Sequence, residues 1–354
     1  MKILDRYIAK AIINYTLLVL LVLIALYTFL SFVTELEEVG RGNYKASDAL
    51  NYTVYSIPQH IYDLLPVASL LGSVLGLGNL AGQSELVAMR TAGFSVERIV
   101  RSALTAGIVF VVMTVLIGEV VAPPAEQAAN KLRSLAKTGQ ISEKAEQGFW
   151  TRSGNAFNHI GRVLPNGQYA DIELFEFDNH HQLHSIVRAA RADYHDGGWY
   201  LIEVTQQIIS AEGIMVRRLD KALWKSKLNP DILEIVMVDP QQLSAWELYR
   251  YIDYLQENKQ ATERYQQAFW SKIVAPFNTL IMMFLAIPFI FGPLRSVSVG
   301  QRIFIGALVG IGFFLFNRFF NRVGVVFELP LILSATFPSF LSLSIGVVML
   351  RRVY

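Results

Sequence analysis

The chain has 354 residues, 53% of them hydrophobic and only 17% charged, with a formal net charge of +2. So apolar a composition is that of a membrane protein, and so small a charge offers no field for binding nucleic acid. Zero cysteines exclude a thiol nucleophile, a thiolate metal site and a disulfide framework.

Charge-free stretches run from Ala11 to Thr34, Leu64 to Ser84 and Ser102 to Gly118, then from Ile273 to Leu294 and Leu329 to Leu350. A further stretch, Ile303 to Phe327, is broken only by Arg318 and Arg322. A helix needs roughly 20 apolar residues to cross a hydrocarbon core, so six transmembrane helices in two groups of three are expected. The first stretch is too long for a cleaved signal sequence and is expected to stay as an anchor. With the N-terminus inside, the inner flanks carry Lys2, Arg6, Lys10, Arg90, Arg98, Arg101, Arg295, Arg302, Arg351 and Arg352, and the short outer segments only Arg41, Lys45 and Arg322. Basic residues favour the cytoplasmic side, so both termini are expected there and the middle of the chain outside, in the periplasm of a bacterium.

The expected division is 1–122 for spans one to three, 123–269 for the inserted domain and 270–354 for spans four to six. The insertion opens with a helix, Ala125 to Lys137, just beyond Pro123-Pro124. The period then changes to two over Gly148–Arg152, Ala156–Val163, Tyr169–Phe177, His184–Tyr194, Trp199–Gln207 and Ile214–Leu223. Turn residues at Pro165-Asn166-Gly167, Asp178-Asn179 and Asp196-Gly197-Gly198 separate these runs, which reads as an antiparallel all-β domain, a sandwich or an open barrel. Ser244 and Glu247 have capping-box spacing, and Trp246, Tyr249, Ile252 and Leu255 form an apolar stripe leading to the fourth span.

No P-loop, G-x-S-x-G or H-E-x-x-H motif occurs, so a non-catalytic chain without a cofactor is expected. His180, His181 and His184 beside Asp178-Asn179 read as a solvated hairpin turn rather than a metal site. Asp63 and Glu119 fall near the outer ends of their spans, which gives little support to an ion-driven carrier. Arg318 and Arg322, preceded by Asn317 and Asn321, form a polar stripe on the fifth span that either snorkels to the interface or binds an anionic headgroup. Phe313, Phe314, Phe316, Phe319 and Phe320 cover more of that helix than one packing face needs, and face lipid or wall a bound acyl chain. Gly72 with Gly76, and Gly306 with Gly310, allow close helix approach. Between the second and third spans, Gln83 to Phe94 reads as a short amphipathic helix with Ser84 at its start and Gly93 at its stop. It lies on the membrane surface or couples to a soluble partner.

Asp5-Arg6-Tyr7-Ile8, the loop from Ser84-Glu85-Leu86-Val87-Ala88-Met89 to Gly93-Phe94, and Gly118-Glu119 with Val121-Ala122-Pro123 resemble the lipopolysaccharide export permeases of the LptF/LptG family. Trp270-Ser271-Lys272 and the run Phe289-Ile290-Phe291-Gly292-Pro293-Leu294-Arg295-Ser296-Val297 carry the same likeness. The resemblance implies a half-transporter of an ABC exporter that pairs with LptF, is driven by an LptB ATPase dimer, joins LptC, and passes lipopolysaccharide toward LptA. It implies a jellyroll-like external domain and a coupling helix formed by Glu85, Leu86, Met89, Arg90 and Gly93. It also implies a lateral gate on the first and fifth spans, where Phe29, Phe32, Arg41, Lys45, Phe313, Phe316, Asn317, Arg318, Phe320 and Arg322 are candidates for contact with lipid. In the external domain, Ile172, Leu174, Phe177, Trp199, Leu201 and Val204 would line a slide for acyl chains. Family members carry lysines at the outer end of the first span, where this chain has Ser31, Glu35, Glu37 and Glu38. Arg318 and Arg322 are the expected source of the missing positive charge. A scaffold that relays ATP-driven motion without moving a substrate is the alternative.

Overall fold

The structure, a computed structural model, describes residues 3–138, 148–163, 168–178, 180, 182–195, 198–210, 213–224, 233, 235, 238–291, 297–327 and 329–352. The expected turn at Pro165-Asn166-Gly167, residues Asn179, His181, Asp196 and Gly197, and the motif from Gly292 to Ser296 lie outside the described residues. The chain forms two compact units. One comprises 1–31, 56–125 and 263–354, and the other 32–55 and 126–262.

Among the described residues, six helices are long and apolar enough to cross a membrane. They are α1 (Ile3–Leu36), α3 (Ile57–Gly82), α5 (Val96–Leu116), α8 (Glu263–Phe291), α9 (Val299–Val326) and α10 (Leu331–Arg351). Shorter helices are α2 (Ala46–Tyr55), α4 (Glu85–Thr91), α6 (Ala122–Thr138) and α7 (Ala245–Glu257). The sequence pattern gave no sign of α2.

The third span does not stop at Pro123-Pro124. A π-helical turn, Ile117–Val121, joins α5 to α6 without a break. Proline supplies no N–H to the carbonyl one turn back, and a local change of hydrogen-bond register absorbs that loss.

Apolar helices surrounded by lipid gain little from hydrophobic burial against each other, so close backbone approach matters more. Gly72 and Gly76 of α3 provide it, because a Cβ at Gly72 would collide with the Thr16 backbone of α1 and one at Gly76 would press on Ile12. On another side of α3, Gly306 and Gly310 of α9 receive Leu71 and Val67. Both glycine pairs therefore serve packing. The α3 span is 67% buried, against 17% for α1 and 11% for α9, so α3 is the central element of this unit. Polar side chains tie the remaining spans: Gln267 donates to Asn321 at 2.5 Å, Ser334 donates to the Gln267 carbonyl at 2.9 Å, and Ser339 bonds Asn278.

The second unit contains the expected antiparallel all-β insertion. Its strands are β1 (Phe149–Ser153), β2 (Ala156–Val163), β3 (Tyr169–Phe177), β4 (Leu183–His195), β5 (Gly198–Ser210) and β6 (Gly213–Trp224). All six lie in one sheet in sequence order, a meander in which each strand pairs with its chain neighbours. One rung runs Ile160, Ile172, Ala189, Val204 across four strands. Asp171 and Glu203 adopt positive φ beside this rung, at +55° and +57°. Such a residue interrupts the ladder and shifts the side-chain alternation, which is how Leu201 and Val204, three apart, both turn inward.

Helix α7 begins with the full capping box of Ser244 and Glu247. Its buried face differs from the expected stripe. Leu248, Tyr251, Tyr254 and Leu255 are buried, while Trp246 and Tyr249 stack on each other in solvent. The Tyr254 hydroxyl donates to the Arg152 carbonyl of β1 at 2.9 Å, and burial pushes its pKa up to about 12.

A Cβ at Gly72 has no room, whereas Gly312 of the same unit faces open space. Overpacking a tight contact costs about 1–3 kcal/mol. The Gly72→Ala variant is therefore expected to unfold in detergent at a clearly lower temperature than the parent, and Gly312→Ala at an unchanged one.

Candidate functional site

Helix α4 sits in the loop between α3 and α5. Ser84 before it and Gly93 after it both adopt positive φ, +60° and +86°, and turn the chain sharply at each end. Leu86 and Met89, three residues apart, fall on one side of the helix and join the apolar core of the bundle, 2% and 8% exposed. They were expected to face a partner. They are instead the anchor that seats α4 on its own chain. The face left open carries Val87, Ala88, Arg90 and Thr91, with Glu85 half-buried and hydrogen-bonded to Tyr7. The Arg90 guanidinium lies 6.0 Å from the Phe291 ring at the end of α8.

Close by in sequence, the start of α5 binds the start of α1. Arg98 Nε and the Ser102 hydroxyl donate to Asp5 at 3.2 and 3.0 Å, and Arg98 covers the Phe94 ring at 4.4 Å. A polar cleft of about 550 Å³ opens there, lined by Asp5, Ser95, Glu97, Arg98, Arg101, Ser102 and Thr105.

The candidate lipid face of α9 divides in two. Phe316 and Phe320 pack on Phe337 of α10, with ring centroids 6.3 and 4.8 Å apart. Asn321 turns inward to Gln267, while Asn317 and Phe313 are half-buried. Arg318 and Arg322 are exposed on the same outward side as Phe314, whose ring lies 5.9 Å from the Arg318 guanidinium. The asparagines and arginines are therefore not one stripe, because i and i+1 neighbours on a helix point about 100° apart. On α1, Phe29 is exposed and Phe32 half-buried. Arg41 and Lys45 are exposed, and Arg41 pairs with Glu38 at 2.7 Å.

On the sheet, Ile172, Leu174, Trp199, Leu201 and Val204 do share a face, yet none is more than 2% exposed. Trp199 is enclosed by Tyr169, Tyr194 and Trp224. This face is a filled core in the conformation at hand. Phe177 lies on the opposite face, edge-on to the exposed Phe157 ring at 5.6 Å, because it stands an odd number of residues from Ile172 and Leu174 and alternate residues of a strand face opposite sides. His180 sits in the β3–β4 turn, where Asp178 accepts from the backbone N–H groups of His180 and Gln182 and is thereby held below the usual carboxylate range. No group that could hold a metal is found among the described residues.

Three polar arrangements were not evident from the sequence. Arg302, counted above as a flanking charge, is buried and donates to the Gly78 carbonyl of α3. Lys272 is buried, donates to the Gly118 carbonyl at 3.0 Å within the π-turn and lies 5.5 Å from the Tyr62 ring. Glu35 and Glu38 meet Arg133 and Lys137 of α6. Only the unusual acidity of the end of α1 hinted at the last.

The sequence matches the family described as lipopolysaccharide export system permease LptF/LptG over residues 6–352. It is 37% identical to the lipopolysaccharide export system permease protein LptG of Escherichia coli K12, over 95% of this chain and 94% of that protein. It is 36% identical to LptG of Haemophilus influenzae, over 96% of this chain and 95% of that one. A six-span helical bundle with a β insertion is thus a membrane permease, and the chain belongs to the LptF/LptG family.

If Leu86 and Met89 seat α4, truncating either leaves a cavity in the bundle, at about 2–5 kcal/mol. Leu86→Ala is expected to lower the unfolding temperature of the purified chain, while Val87→Ala on the open face leaves it unchanged.

Proposed function

We propose that the chain is a permease subunit of an ABC transporter that extracts lipopolysaccharide from the bacterial inner membrane and passes it to a periplasmic bridge toward the outer membrane. In this reading both termini and α4 are cytoplasmic, and the sheet is periplasmic. The membrane parts are 1–122 and 270–354, with 123–269 between them. An LptF subunit pairs with the chain, an LptB dimer supplies ATP hydrolysis, LptC joins in the membrane, and LptA receives the lipid. The family, named for lipopolysaccharide export, supplies the substrate class.

The observation that carries the coupling role is the seating of α4. A short helix anchored through Leu86 and Met89 moves with α3 and α5 as one body, and its open face offers Arg90 and part of Glu85 to a soluble partner. Force applied there reaches the spans directly. The closed sheet core favours a second reading, a scaffold that relays motion without carrying lipid, unless the sheet opens during the cycle to admit acyl chains.

Replacing Glu85 by alanine is expected to leave the chain folded and to reduce lipid release per ATP hydrolysed in reconstituted complexes, or to weaken retention of LptB. Unchanged retention with unchanged release would remove α4 from the coupling path.

Arg318 and Arg322 tell lipid binding from snorkelling. A guanidinium on a phosphate makes charge-assisted bonds of about 1.5–3 kcal/mol each before desolvation. Lipopolysaccharide co-purified with the complex is expected to fall most for Arg318→Glu, less for Arg318→Gln and least for Arg318→Lys. Equal lipid in all three would assign these arginines to anchoring alone.

A further inference from the structure

Over residues 299–310, helix α9 turns one face to α3. The residues buried there are Arg302, Gly306 and Gly310, one helical turn apart from each other, while Ile303, Phe304 and Leu308 between them are exposed. Gly306 and Gly310 are recesses in α9, where a Cβ would press on Leu71 and Val67 of α3. At Arg302 the relation is reversed. Here the recess belongs to α3: a Cβ at Gly78 would lie 2.9 Å from a guanidinium nitrogen of Arg302 and 3.1 Å from its Cδ, and one at Gly82 would lie 4.0 Å from the same nitrogen. The guanidinium fills that notch and donates to the Gly78 carbonyl.

Apolar contact has no direction, so Leu71 and Val67 alone do not select one axial register of α9 on α3. A guanidinium bonded to one carbonyl does, because a charge-assisted hydrogen bond is directional and has no substitute in hydrocarbon. The position of the charge points the same way. A cation in the first turn of α9 opposes the dipole of its own helix, but beside the last turn of α3 it meets the negative end of that one. Arg302 therefore serves the contact between the two helices rather than the helix that carries it. The carbonyl it binds lies about one turn before the end of α3, and α4 begins just beyond that end, with Leu86 and Met89 set in the same apolar core as Leu80.

We propose that Arg302 is a positioning residue for lipid passage: seated in the notch of Gly78 and Gly82, it fixes the axial register of α9 on α3, so that movement received at α4 is delivered to Arg318 and Arg322. The proposal rests on the permease reading above, and goes beyond it by naming the side chain through which α4 moves the fifth span. Arg318 stands about 24 Å along α9 from Arg302. An unbroken helix is stiff along its axis, so a displacement imposed at Arg302 arrives at Arg318 undiminished.

The test uses the assembled transporter in vesicles containing lipopolysaccharide, with variants compared at matched assembly. Spin labels at Gln83→Cys and Leu315→Cys, both exposed and both in the membrane unit of a chain with no native cysteine, report the distance from the end of α3 to α9. The parent is expected to show one narrow distance, the same with and without ATP and vanadate. Arg302→Met keeps the stem and loses the donors. It is expected to broaden the distribution and to cut lipid release per ATP hydrolysed about tenfold, the scale set by one lost charge-assisted bond. Gly78→Ala, which fills the notch while the arginine remains, is expected to do the same, and Arg302→Lys, which keeps the charge and a donor, to recover at least half of the release. A distribution unchanged in both Arg302→Met and Gly78→Ala would overturn the register lock. A parental distance that shifts with nucleotide would overturn the delivery of movement, since α9 must then slide on α3. Release per ATP that stays parental while only the unfolding temperature falls would reduce Arg302 to packing. If Arg302→Met fails to assemble, Gly78→Ala and Arg302→Lys decide the same question. Should the parental complex release no lipid at all, the permease reading fails, while the spin-label distances still decide the register.

Discussion

Packing around α3 is the constraint on which the membrane unit depends. Lipid tails are as apolar as leucine, so six apolar helices have little hydrophobic reason to associate. What holds them is contact at short range and a few polar bonds that have nowhere else to go. Gly72 and Gly76 let α1 approach, Leu71 and Val67 enter the glycine notches of α9, and the buried guanidinium of Arg302 reaches the Gly78 carbonyl. The same helix leads directly into α4, so the element that organises the bundle also carries the exposed coupling candidate.

Much of this architecture follows from periodicity. The apolar runs found their helices, and the period-two runs found all six strands within two or three residues at each end, because turn residues between short β segments punctuate the chain strongly. The capping box at Ser244 is local chemistry and equally readable.

Which way a side chain points was harder to foresee. Leu86 and Met89 share a side of α4 on any helical wheel, but whether that side meets a partner or its own bundle depends on contacts distant in sequence. Leu201 and Val204 show the same limit in a strand, where the positive φ of Glu203 between them turns two residues three apart to one face. Arg302 shows it for charge, since basic residues near a helix end read as solvated and this one folds back onto a carbonyl. Glu35 and Glu38 stood out as acidic where cations were expected, but their partners lie about a hundred residues away and no local pattern announces them.

The π-turn at Ile117–Val121 has a geometric consequence for the helix that follows it. One extra residue in a turn advances the helical phase by about 100° without ending the helix. The apolar stripe that α5 presents to its bundle therefore does not continue onto α6, which is free to show a different face of its own with Glu126, Asn130, Arg133 and Lys137 at intervals of three and four residues. The insertion of one residue thus re-aims the side chains that follow without a break in the helix.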